Sequence, residues 1–184
     1  MNRLKQSAAL VALAVLTGAA YAQEQPSNSS AAADSEVIVS TRTPTDAEQT
    51  KLNQILKSSQ PSSQELAELK QMAQAGLRFG QKRFSSDFGF NEASVKALSQ
   101  MIDAERSSYS EEFKAKLTVV LGCYLGQALI TKNGGEWLVM GDGSFAVALT
   151  GGQIIWPISR VNQQLQEGSD RSIYALYLTA QSAQ

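Results

Sequence analysis

Four side chains in the second half of the chain, Glu136, Trp137, Trp156 and Arg160, are of types that recognise ligands. Indole rings offer a large contact area at low entropic cost, and a guanidinium presents a planar fork that fits carboxylates and phosphates. These four are the candidate binding residues. Each tryptophan lies inside an apolar strand pattern, which favours a plug in the core over an open aromatic platform. Arg160 follows Pro157 within the first turn of an expected helix, the end at which the helix dipole disfavours a cation. A structural ion pair is therefore expected for it, with Glu136 or Asp142 as the carboxylate, and an anion site is the alternative.

Catalytic candidates are harder to find. The chain has no histidine, which removes the commonest general base and zinc ligand, and it carries no phosphate loop, dinucleotide fingerprint or metal-ligand cluster. No catalytic residue, metal ligand or cofactor is assigned. Cys123, the only cysteine, cannot form an intramolecular disulfide and has no cationic neighbour in the sequence to make it a thiolate, so a buried, unreactive thiol is expected. The carboxylates Asp87, Glu92, Asp103, Glu105, Glu111 and Glu112 mostly fall at helix starts or on polar faces, where dipole complementarity accounts for them. A hydrolytic pair would have to be assembled in space. Arg78, Lys82 and Arg83 form a modest basic cluster, of a kind that is usually just solvated.

The elements that must position these residues follow from pattern. Thr45 and Ser62 each open a capping box, Pro61 stands between them, and a helical hairpin is expected, with Gly76 near its end. Leu77 to Phe90 reads as an irregular connection that pins aromatic rings into the core. Asn91 caps a helix carrying Val95, Leu98 and Ile102, and Ser110 caps the longest helix, whose apolar stripe runs from Phe113 to Ala128. Gly122 and Gly126 stand four apart on it, a costly choice in a helix that points to close approach of a neighbouring element, and the Trp156-Pro157 corner, with its large ring, is expected to rest there. After Gly134-Gly135 the period changes to two, giving a three-stranded antiparallel meander that ends at Trp156. Two helices follow, the first beginning at Pro157 and the second near Ser169-Asp170. The expected fold class is α+β, with helices packed on one face of the small sheet.

The beginning of the chain bears on location. Arg3 and Lys5, the apolar run Ala8 to Ala20 and the small-residue stretch to Ala22 have the three-part form of a bacterial secretory signal peptide, with cleavage expected after Ala22. Residues 23–44 are poor in large apolar groups and read as a flexible tether, leaving residues 45–184 as one domain in the periplasm or outside the cell. Losing Arg3 and Lys5 with the leader takes the net charge from −1 to −3, which gives no electrostatic case for nucleic acid. No apolar stretch after the leader is expected to reach spanning length, so no membrane anchor is expected after cleavage.

The run Leu121-Gly122-Cys123-Tyr124-Leu125-Gly126-Gln127-Ala128, then Gly135-Glu136-Trp137, then Pro157-Ile158-Ser159-Arg160-Val161 with Gly168 closing, resembles an uncharacterised bacterial family, the domain of unknown function numbered 3806. The resemblance covers roughly residues 90 to 180. It implies an α+β domain behind a signal peptide and brings no established activity. A fainter compositional likeness is to small immunity proteins that neutralise toxins delivered between cells. Two functional classes follow. The first is a periplasmic binding or interaction domain for a protein partner in the cell envelope, of the inhibitor or immunity type. The second is a carboxylate-dependent hydrolase of the envelope.

Overall fold

In the computed structural model the described residues are 57–180 together with Asn53, and residues 57–180 fall within one compact unit, Lys57–Gln184. The leader, the tether and the first half of the expected helical hairpin, with Thr45, Leu52, Ile55 and Leu56, lie outside the described residues. The order is β1 (Ser58–Ser59), α1 (Ser63–Arg83), α2 (Glu92–Glu105), α3 (Glu111–Asn133), β2 (Glu136–Met140), β3 (Phe145–Ala148), β4 (Ile154–Ile155), α4 (Pro157–Glu167) and α5 (Ile173–Thr179). This is an α+β arrangement.

Local chemistry sets most of the boundaries. Ser62 and Glu65 close a reciprocal capping box at the start of α1, with the Ser62 N–H donating to Glu65 Oε2 at 2.8 Å and the Glu65 N–H to Ser62 Oγ at 3.2 Å. Asn91 and Ser110 cap α2 and α3 as their sequence positions require. The last helix starts later than Ser169-Asp170. Those residues form a single 3₁₀ turn, and Ser172 is the cap, its Oγ accepting from the Ala175 N–H at 3.2 Å.

Three expectations need correction. First, α1 does not stop at Gly76 but runs to Arg83, so Leu77 to Arg83 is helix and only the remainder is irregular. Gly76 and Gly80 are not terminators. They are points of close approach, since a Cβ at Gly76 would sit 2.7 Å from Tyr124 Cβ, and one at Gly80 would run into the Phe88 ring. Second, among the described residues the sheet has four antiparallel strands in the order β1-β2-β3-β4, not three. Ser58 and Ser59 pair with Met140 and Val139 through main-chain groups alone, so the extra strand leaves no apolar or β-branched signature to read.

Third, α3 is more than an amphipathic helix. Leu121 to Gly126 are six consecutive buried residues, and α1 packs on one side while α4 packs on another. A helix apolar all round belongs in a core or in a membrane. At 23 residues, with an 18-residue stretch of mean hydropathy 1.3, α3 has the length and composition to cross a bilayer, contrary to the expectation that no stretch after the leader approaches that length. Here protein covers a little over half of that stretch, centred on Leu121 to Gly126, and Phe113 near the start of the helix is exposed. Tyr124, fully buried on α3, holds the irregular segment in place. Its hydroxyl donates to the Gly89 carbonyl at 2.5 Å, and its ring lies 5.4 Å from Phe88 and 5.2 Å from Phe90.

Candidate functional site

An open groove of about 310 Å³ lies where the last strand meets α4. Such a volume is at the lower end of the roughly 300–1,000 Å³ typical of ligand clefts. Gln153, Ile154, Ile155 and Trp156 come from β4 and its flanks, Ser159, Arg160 and Gln163 from α4, and Leu176 from α5. Position follows from the chain turn at Trp156-Pro157. Pro157 is the first residue of α4, so the strand passes into the helix without a loop, and Arg160 falls one turn inside it, its N–H donating to the Trp156 carbonyl at 3.0 Å.

The four candidate binding residues divide. Trp156 and Arg160, both half-buried, share the groove. Trp137 does not reach it. It is 3 % exposed, with its ring against Gly126 on α3, so it is a core residue. Glu136 is exposed on β2 and stands in one row with Ala148 and Ile154 across the sheet. That places it two strand spacings of about 4.8 Å from β4.

The expected ion pair of Arg160 is therefore not formed: among the described residues neither Glu136 nor Asp142 pairs with it. Asp142 is occupied in its own turn, accepting from the Ser144 N–H at 2.9 Å. The corner does rest on the two glycines of α3, as their spacing suggests, but through Ile158 on Gly122 and Pro157 on Gly126. The large ring there belongs to Trp137 rather than Trp156. Gln153, Ser159, Gln163 and Leu176 escaped the sequence reading, because a polar or aliphatic residue carries no signal of a site until a neighbouring element is placed beside it.

The other chemical candidates are accounted for structurally. Glu105 accepts from Tyr109 at 2.6 Å and from Arg83 at 2.5 Å, and these bonds hold its carboxyl below the usual range. One of the three clustered cations is thereby engaged. Glu111 and Glu112 are likewise held low, chiefly by hydrogen bonds from Lys114 and Lys116. A general acid needs the opposite shift. Asp103 accepts from Gln164 and Glu92 from Tyr174, and none of these carboxylates lines the groove.

Cys123 is 1 % exposed, and burial pushes its thiol up to about 12. It should react with an aromatic disulfide reagent only after denaturation, at a native rate that stays low from about pH 7 to about pH 9. Rapid native labelling would mean that α3 opens readily.

Residues 94–177 match the family model described as Domain of unknown function (DUF3806), a span close to that of the resemblance seen in the sequence. The whole groove lies within it, whereas β1 and α1 precede it. Neither a curated protein nor a solved structure matches the chain.

Proposed function

We propose that this chain is an exported binding domain, tethered by its N-terminal segment in the cell envelope, and that it takes a protein partner at the Trp156–Arg160 groove. An inhibitor or immunity-type protein is one form of this reading. The observation that carries it is a half-buried guanidinium with no ion-pair partner among the described residues, beside a half-buried indole in an open groove. Burying part of a charge without a counterion is unfavourable, and an anionic group on a partner offsets that cost. Aromatic and arginine side chains are also the types that dominate binding energy at protein interfaces.

Arg160→Ala tests this directly. The variant should unfold within about 0.5 kcal/mol of the parent, as a surface substitution without a partner does, yet lose a stoichiometric partner that co-purifies with the parent from envelope extracts. Retention of that partner would defeat the groove reading. Export is checked separately by intact mass of the protein from the periplasmic fraction, which should begin at Gln23. A chain that keeps its first 22 residues would defeat that part.

A further inference from the structure

We propose that the occupant of the groove is an extended peptide segment bearing a carboxylate side chain, which adds to the open edge of β4 as a further strand and seats its carboxylate on Arg160. This rests on the binding reading above and names the partner's chemistry.

β4 is the last strand in the sheet, so its outer side has no strand partner among the described residues. The register pairs Ile155 with Val147 and Ile154 with Ala148, and the Leu149 N–H donates to the Gln153 carbonyl at 2.9 Å. In an antiparallel ladder, residues alternate in the side to which they turn their main-chain groups. Gln153 and Ile155 therefore face β3, and Ile154 turns both its N–H and its C=O to the open edge. The groove is lined by this same stretch, with Trp156 among its lining residues and Arg160 in the first turn of the helix that follows. Ile154 itself is 38 % exposed.

The free donor and acceptor on one residue select the ligand class. A simple carboxylate has only acceptors to offer and leaves the Ile154 carbonyl unmatched, whereas an extended peptide supplies a donor and an acceptor at strand spacing. Arg160 is the one charged residue among the eight that line the groove, so the complementary side chain on the peptide is Asp or Glu. The strand has only two residues, which gives two copies of the chain little edge to pair along. A single main-chain pair also makes the guanidinium the main source of selectivity.

The probe is a blocked hexapeptide, Thr-Val-Glu-Val-Thr-Val, titrated into the isotope-labelled chain and followed by amide NMR. Accompanying it are a Glu→Gln version and two versions N-methylated at alternate amides, one in each frame. Shifts confined to Gln153–Trp156, Arg160 and their neighbours are expected, with slowed exchange of the Ile154 amide. The Gln peptide should bind about tenfold more weakly or worse, and one methylated frame should not bind. Ile154→Pro removes the outward N–H without touching the β3 ladder, a substitution edge strands tolerate, and should abolish peptide binding.

The proposal is overturned if both methylated frames bind like the parent peptide, if a folded Ile154→Pro chain binds unchanged, or if the hexapeptide leaves the groove resonances unmoved. Should Ile154→Pro not fold, the methylated peptides decide alone. Concentration-dependent shifts at Ile154 without peptide would make a second copy the occupant, and would also overturn it. Loss of the co-purified partner on Arg160→Ala, with no response to the hexapeptide, removes strand addition but leaves the binding reading intact. Retention of the partner removes the reading itself.

Discussion

Replacing Gly126 with leucine is expected to destabilise the domain by about 3 kcal/mol or more, at the upper end of what overpacking a core costs. A Cβ at this position would meet the Trp137 ring carbons, 2.2 Å away, and Pro157 Cγ at 3.1 Å. Neither neighbour can withdraw cheaply. The Trp137 ring is 3 % exposed in a sheet strand, and Pro157 fixes the passage from β4 into α4. Gly122→Leu should be comparably severe, because there the nearest atom is the main-chain Cα of Ile158 at 2.6 Å. Gly143→Ala supplies the contrast. That glycine has φ +81° and open space where its Cβ would stand, so only the left-handed backbone strain applies, about 1–2 kcal/mol. Urea midpoints for the three variants decide the matter, and a Gly126→Leu midpoint no lower than that of Gly143→Ala would show that the sheet can slide away from α3.

Gln164→Leu should cost about 2–4 kcal/mol despite being close in volume, since it removes a fully buried carboxamide that ties α4 to both α2 and α5. Gln164 Nε2 donates to Ser99 Oγ and Asp103 Oδ1, each at 2.9 Å, and lies 3.1 Å from the Ser99 carbonyl on α2. Its Oε1 accepts from the Ile173 N–H at 2.8 Å, the first residue of α5. Leucine leaves that N–H buried without an acceptor. Gln164→Glu sharpens the test through its pH dependence. The new carboxyl would be buried and would face Asp103, so its folded pKa should be raised above the ordinary value of about 4.3. A raised carboxyl is favoured in its protonated form, so the stability of this variant relative to the parent should be highest below that ordinary pKa. It should then fall as pH rises towards the folded pKa. Denaturation midpoints that move together across that range for both proteins would show that the carboxamide contacts are not held in solution.

Which parts of the protein were legible beforehand depended on whether a side chain or the main chain carried the information. The caps at Ser62, Asn91 and Ser110 were readable because an oxygen-bearing side chain satisfies helix N–H groups within its own turn. The meander was readable because side chains alternate along a strand, and the burial of Cys123 followed from its apolar surroundings on α3. The α+β class and the resemblance over the second half rest on the same local patterns. β1 was invisible, because two serines join the sheet through main-chain hydrogen bonds that any residue can make.

The glycines mark the boundary most clearly. Their spacing on α3 signalled a close approach, but only the tertiary structure decided that Trp137, and not Trp156, is the ring that uses Gly126, and that Gly76 and Gly80 pack a helix instead of ending it. The groove belongs wholly to that second class of information. Arg160 and Glu136 look like partners in sequence, yet β3 lies between the strand of one and the strand that leads to the other. Strand order thus leaves the guanidinium without its expected carboxylate. The order of the meander was itself legible from its two glycine turns; what only the tertiary structure decided is where α4, packed on α3, carries Arg160 relative to β2.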